Sequence, residues 1–273
     1  MFANQLIVIT GGSSGVGKAL AQKLSAKGAN LALIARDPKK LSLARDELLR
    51  LASTGRRVEV FSCDVSDPGA VSKSFAQIAE QMGPPDVLIN SAGILKEGYF
   101  EKLPLEVFRS IMDINFFGTL HCIQSALPYF KQKAEGRIVN ICSSGGLMSA
   151  FGYSAYCSSK FAVTGLTNTL REELKPENIK IHLACPAEFG SPMVDELNTY
   201  RTLENRTVVQ TIPVLTAERV AEEIIKGIEA DRYLIIPGRV SRVLERVYRW
   251  FPSVGRAVVD YRIRKVYRGP GKS

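Results

Sequence analysis

Apolar residues come in short runs at regular intervals along the chain. Residues 6–9, 31–34, 58–61, 87–89, 138–141, 181–184 and 233–236 are apolar at most positions on both alternating faces, the pattern of strands covered on both sides of a sheet. Between them, residues 17–27, 39–51, 70–81, 105–131 and 158–174 repeat apolar positions at three- and four-residue spacing, which predicts helices with one buried stripe. Strand and helix therefore alternate along the chain. The pattern predicts an α/β fold, a single-domain Rossmann-like doubly wound parallel sheet of about seven strands with helices on both faces. Residues 191–213 are polar and poorly periodic, which fits a mobile loop or a helical lid over a site.

Composition narrows the class without changing that picture. The 273 residues are 45% hydrophobic and 23% charged, enough apolar side chain for a sizeable core. No run approaches the roughly 18 apolar residues of a membrane span, and the N-terminus shows no basic region followed by a cleavage site, so neither a span nor a signal peptide is expected. The five cysteines, Cys63, Cys122, Cys142, Cys157 and Cys185, form no CxxC pair and have no histidine cluster beside them. A disulfide framework and a metal site are both unexpected, and a reducing, cytoplasmic setting fits.

Charge adds a division of the chain. From Arg239 to the end, ten basic residues stand against two acidic ones, a net of +8 out of the total of +9. The expected organisation is a nearly neutral domain over residues 1–238 and a basic amphipathic C-terminal tail over residues 239–273. Within the tail, Val240, Val243, Leu244, Val247 and Phe251 make an apolar stripe at helical spacing, while Arg242, Arg246 and Arg249 occupy other faces. An anionic membrane surface, a subunit contact and packing on its own domain are the three readings of such a stripe. Nucleic acid fits less well, because no recognised module accompanies the charge.

The first strand leads into Thr10-Gly11-Gly12-Ser13-Ser14-Gly15-Val16-Gly17, followed by a helical pattern. Glycines between a strand and a helix let backbone N–H groups approach a pyrophosphate at the positive end of the helix. At the tip of the second strand, Ala35-Arg36-Asp37 offers a guanidinium where a carboxylate would hold the ribose of NAD, which favours NADPH/NADP+. Tyr156 and Lys160 stand four residues apart on one helical face, and an ammonium beside a phenol lowers its pKa toward working pH. Ser143 and Ser144, after the fifth strand, offer hydroxyls to the same substrate oxygen.

Together Gly11-x-x-x-Gly15-x-Gly17, Asp64, Asn90-Ser91-Ala92-Gly93, Asn115, Ser143-Ser144 and Tyr156-x-x-x-Lys160 resemble the short-chain dehydrogenase/reductase family over about residues 4–237. The resemblance implies an oxidoreductase, dimeric or tetrameric, that interconverts a ketone and a secondary alcohol. It implies Tyr156 as general acid/base, Lys160 as the group that lowers the tyrosine pKa and holds the nicotinamide ribose, and Asn115 as support for a proton-relay water. It further implies a cofactor lined by Gly11, Ser13, Ser14, Gly15, Val16, Gly17, Arg36, Lys40, Asp64, Val65, Asn90, Ala92, Gly93, Pro186 and Ser191. Ser144 holds the usual place after the strand and is the favoured catalytic serine, although Ser143 has the usual thirteen-residue spacing to the tyrosine. A second departure is Pro186-Ala187-Glu188, where the family commonly has Pro-Gly.

Several stretches, among them Ala35-Arg36, Ser154-Ala155-Tyr156 and residues 170–176, are similar to the 3-ketodihydrosphingosine reductases within that family. That implies an apolar, lipid-like ketone such as a long-chain 3-keto base as substrate, and peripheral contact with a membrane. The alternatives are a retinoid, steroid or general carbonyl reductase, or a non-catalytic dinucleotide-binding regulator.

Overall fold

Seven of the apolar runs line up side by side in the computed structural model, which describes residues 1–51, 55–209 and 212–268. They are β1 (Leu6–Thr10), β2 (Asn30–Ala35), β3 (Val58–Ser62), β4 (Val87–Asn90), β5 (Gly136–Ile141), β6 (Ile179–Ala184) and, after two intervening short strands, β9 (Leu234–Ile235). All pair in parallel, in the order β3-β2-β1-β4-β5-β6-β9. Their apolar character on both faces follows from the packing. On β1, Ile7 and Ile9 join one core while Leu6 and Val8 join the core on the opposite side.

Helices α1 (Gly15–Ala26), α2 (Pro38–Leu51) and α9 (Ala217–Glu229) cover the first face. On the second lie α3 (Pro68–Met82), α5 (Gly118–Lys133) and α6 (Ser154–Glu173). The single helix expected over 105–131 is instead α4 (Leu105–Met112) joined to α5 through one wide turn, Asp113–Phe117, of π geometry. Such an insertion turns a side chain off the regular helical faces, and the inserted segment carries Asn115. Helix α6 starts at Ser154, four residues earlier than the periodicity suggests, so Tyr156 stands in its first turn.

The polar stretch 191–213 holds two short helices, α7 (Pro192–Asn198) and α8 (Leu203–Val209), joined by a turn; its residues 210 and 211 lie outside the described residues. The two remaining strands, β7 (Phe189–Gly190) and β8 (Leu215–Thr216), pair in parallel at the two ends of this segment. They are too short to show any alternation in sequence.

The basic tail folds as a hairpin of α10 (Arg239–Trp250) and α11 (Pro252–Tyr267), with Pro252 opening the second helix; Lys272 lies outside the described residues. The helices cross closely at Gly255, where a Cβ would come within 2.8 Å of the Tyr248 ring. The hairpin packs on its own domain. Arg242 donates to Glu223 (3.0 Å) and to the Ile236 carbonyl (2.9 Å), Arg262 donates to the Thr207 carbonyl (3.3 Å), and α11 lies against α8. Among the described residues no helix is long and apolar enough to cross a membrane, and no metal-ligating cluster is present. All five cysteines are buried free thiols.

Candidate active site

The chain order of the sheet reverses between β1 and β4, which opens a crevice at their carboxyl ends. Thr10 closes its floor: its hydroxyl accepts from the N–H groups of Ser91 (3.0 Å) and Ala92 (3.1 Å). Gly11, at φ +65°, packs so tightly that a Cβ would meet the Ser91 carbonyl at 2.8 Å and the Ala92 Cα at 2.9 Å. Gly15, at φ +52°, faces open space, with only the Ser191 Cβ at 4.0 Å from where its own Cβ would stand. Ser14 precedes α1 without capping it through its side chain, so the first turn leaves N–H groups for a ligand. Gly11, Ser14, Gly15 and Val16 line the large cavity here, whereas Gly17 is buried behind them against Gly11. An open glycine above an uncapped helix start fits a dinucleotide pyrophosphate.

At the crevice edge Arg36 is 60% exposed, with its guanidinium 3.8 Å from the Asp64 carboxylate. Burial would raise the Asp64 pKa, but hydrogen bonds from the Ser66 N–H (2.9 Å) and hydroxyl (2.7 Å), together with Arg36, bring it below the ordinary carboxylate value. Asp37 turns away to cap α2, accepting from the N–H groups of Lys39 (2.9 Å) and Lys40 (3.1 Å). Arg36, Lys39 and Lys40 are the exposed cationic side chains at this tip. Val65 is buried beneath the rim, packed against Gly118. Arg36, Lys40, Asp64 and Val65 all stand outside the main cavity.

Asn90 and Asn115 are buried and structural in their contacts. Asn90 donates to Asn140 (2.9 Å), which donates to Thr167 (2.9 Å), tying β4 to β5 and α6. Asn115 pins the loop after β4, accepting from the Ile94 N–H (2.8 Å) and donating to the Ile94 carbonyl (3.0 Å) and the Ser159 hydroxyl (3.0 Å). Gly93 lies against it: a Cβ there would sit 3.2 Å from Asn115 Oδ1 and 3.7 Å from Lys160 Nζ. The amide of Asn115 is thus fully engaged, and Gly93, Asn115 and Lys160 form one cluster under the crevice.

Above that cluster Tyr156, Ser143 and Ser144 line the cavity together. The Ser143 hydroxyl, which also accepts from the Gly145 N–H (3.0 Å), hydrogen-bonds the Tyr156 phenol. Ser144 points its backbone N–H at the Pro186 carbonyl (2.8 Å) and begins a short 3₁₀ turn. Of the two serines, Ser143 is the one whose hydroxyl acts on the Tyr156 phenol, drawing its pKa down, and both line the cavity. The expected net depression of the Tyr156 pKa is absent from the chain alone. Burial pushes the phenol above its ordinary value, outweighing the Ser143 hydrogen bond. Lys160 does not offset this: its Nζ lies 5.8 Å from the centre of the Tyr156 ring and donates to the Ile141 carbonyl (3.1 Å), and burial lowers its own pKa.

From these residues a cavity of about 460 Å³ runs outward past Pro186 and Ser191. Its outer walls are apolar: Leu95 and Met148 near the tyrosine, Leu197 and Val208 from the lid helices, and Leu244, Val247, Tyr248 and Val259 from the hairpin. Polar contacts hold the lid down. Glu188 and Arg201 form a two-point ion pair, with the Arg201 side chain only 2% exposed. Glu97 accepts from the Thr202 hydroxyl (2.6 Å), and Asn205 donates to the Phe151 carbonyl (2.6 Å). Tyr153 packs edge-on to Tyr156, with ring centres 5.7 Å apart.

Sequence reasoning missed Tyr153, Glu188 and Arg201. Signals existed for two of them: Tyr153 precedes Tyr156 by three residues, and Glu188 stands where Pro-Gly is usual. Pairing across the lid has no sequence periodicity to reveal it.

Comparison with known proteins agrees with this geometry. The family described as short chain dehydrogenase matches residues 5–202. A mouse protein named 3-ketodihydrosphingosine reductase is 36% identical over 222 residues, covering 81% of this chain and 67% of the relative. A Dictyostelium discoideum protein of the same name is 33% identical over 256 residues, covering 87% and 77%. A D-beta-hydroxybutyrate dehydrogenase of Rhizobium meliloti (strain 1021) is 33% identical over 190 residues, covering 69% and 73%. Among solved structures, levodione reductase superposes with a TM-score of 0.79 at 25% identity, over 87% of this chain and 96% of that one.

Proposed function

The chain belongs to the short-chain dehydrogenase family, oxidoreductases acting on CH–OH groups, and from that premise we propose that it reduces a long-chain, lipid-like ketone with NADPH. The observation that carries the proposal is the apolar cavity that starts at the Tyr156–Ser143 pair and continues between the lid and the hairpin. A polar ketone head would meet the hydroxyls and an alkyl chain would lie along the outer walls, where water is excluded. The relatives named 3-ketodihydrosphingosine reductase support a substrate of that shape.

The residues have separate tasks. The N–H groups at the start of α1 would hold the cofactor pyrophosphate beside Gly15, and Arg36 with Lys40 would hold a 2′-phosphate, a bidentate target suited to a guanidinium. Ala92, Gly93, Pro186 and Ser191 would line the nicotinamide end. Bound NADPH supplies the hydride. Tyr156 gives its Oη proton to the carbonyl oxygen, and Ser143 donates a hydrogen bond to that oxygen as charge develops on it. Lys160, buried beside Gly93 and Asn115, would hold the nicotinamide ribose. The raised Tyr156 pKa keeps the phenol protonated at neutral pH, the form that a proton donor needs.

The test is NADPH and NADH oxidation across ketones from small and polar to 3-ketodihydrosphingosine, with wild type and Arg36→Ala. The expected result is turnover that rises with chain length, together with preference for NADPH. Hydrogen bonds to charged groups contribute about 1.5–3 kcal/mol, so Arg36→Ala should weaken NADPH binding by about 10- to 100-fold and leave NADH nearly unchanged. Equal use of both cofactors by both proteins would refute the role of Arg36, and best turnover on small polar ketones would refute the lipid substrate.

A further inference from the structure

The α10–α11 hairpin has an inner face that walls the cavity and an outer face left exposed among the described residues. Val240 and Val258 belong to both: they line the cavity and are 42% and 48% exposed, so the cavity opens to the outside along the hairpin. At the turn between the helices Trp250 is 72% exposed and Phe251 62%, with Val254 exposed in the first turn of α11 and Tyr261 further along it. Large aromatic side chains gathered at one turn mark an interaction site rather than scattered surface residues.

The charge on the same element points to the partner. Arg246, Arg249, Arg256, Arg264, Lys265 and Arg268 are exposed along the hairpin, while its only acidic residues are Glu245 and Asp260. Glu245 lies 3.9 Å from Arg249, and the other five are paired with no carboxylate among the described residues. A surface that takes both a Trp-Phe wedge and a row of guanidinium groups must be anionic at its boundary and apolar beneath. A bilayer with anionic headgroups has both properties, in the layer where Trp side chains settle and where arginine stems reach phosphates. A second copy of the chain would have to bring carboxylates to meet this face, and nucleic acid gives no use for a protruding Trp-Phe-Val cluster.

We infer that the hairpin docks the protein on an anionic phospholipid surface, with Trp250 and Phe251 in the headgroup layer and the cavity mouth at the lipid boundary. Docking stands on the hairpin alone. Entry of a lipid ketone from the bilayer into the cavity rests on the reductase proposal above.

Trp250 is the only tryptophan in the chain, so its emission reports its own environment. Full-length protein is titrated with vesicles of phosphatidylcholine and of phosphatidylcholine mixed with phosphatidylglycerol, with and without brominated acyl chains. The expected result is a blue shift and bromine quenching with the anionic vesicles, both reversed by high salt and weak with phosphatidylcholine alone. A basic residue near such a surface contributes about a fivefold gain in partitioning, so Arg246→Gln and Arg256→Gln together should weaken it by about 25-fold. Neither residue lines the cavity. An emission spectrum that anionic vesicles leave unchanged overturns the inference. So does a shift produced by raising protein concentration alone, which would identify a second copy, or one produced by duplex DNA and not by vesicles. NADPH-dependent reduction of a small soluble ketone is measured in parallel. Its loss with docking intact counts against the reductase proposal only, and lost docking with reduction intact counts against this inference only.

Discussion

Ser143 and Ser144 compete for the same substrate oxygen: the place after the strand favours Ser144, and the spacing to the tyrosine favours Ser143. Tyr156 in the first turn of α6 reaches the Ser143 hydroxyl, while the Ser144 backbone is held by the Pro186 carbonyl. Removing one preorganised donor to a developing oxyanion costs about 10²–10³-fold in turnover. Ser143→Ala should therefore lower kcat by that amount with NADPH binding intact, and Ser144→Ala should change it only a few-fold; the reverse ranking in steady-state assays would return the role to Ser144. Tyr156→Phe removes the proton donor itself and should cost about 10²–10⁴-fold or more, again without loss of NADPH binding by fluorescence titration. The tyrosine and lysine were legible because four residues bring side chains to one helical face and because the glycine turn, Asn90-Ser91-Ala92-Gly93 and Ser143-Ser144 accompany them in order. Their mutual distance was not, because Lys160 donates to the Ile141 carbonyl, and that is decided by how β5 meets α6.

Among the elements, the seven strands of the main sheet could be read in sequence because each is covered on both faces and so carries an almost unbroken apolar run. The elements that hold the lid could not. Strands β7 and β8 have two residues each, and the π turn at 113–117 disturbs a helical period without ending it. The lid depends instead on the Glu188–Arg201 pair, formed across thirteen residues by groups that periodicity ignores. Glu188→Gln leaves the buried guanidinium without its counter-charge, a loss of about 3–5 kcal/mol for a fully buried pair. Because Glu188 is 14% exposed, the lower end applies, about 3 kcal/mol, or about 6–12 °C in Tm for a domain of this size. Glu188→Gln with Arg201→Met removes both charges and should recover more than half of that shift in a thermal scan. A single Glu188→Gln with unchanged Tm would mean that the pair does not hold the lid.

At the scale of the whole molecule, the tail shows why an amphipathic stripe is ambiguous by itself. The stripe read from Val240 to Phe251 divides in space: Leu244 and Val247 face the cavity, while Val243 and Phe251 are exposed at 57% and 62%. Spacing identifies a common face but not what lies against it, and here the domain covers only part of it. The inner part makes a quantitative demand on the substrate. If an alkyl chain lies along α10 and α11, each methylene taken from water contributes about 0.8 kcal/mol, about a fourfold gain in kcat/KM. Specificity should then climb by that factor per carbon along a ketone series and level off where the chain reaches the mouth at Val240 and Val258. Val247→Asn places an amide beside the chain, which should flatten the climb for long ketones and leave the shortest, which end near Tyr156, within about twofold of wild type. A parallel drop for every chain length would mean that the hairpin supports the fold without touching the substrate. A level series in the wild type would mean that the chain lies elsewhere.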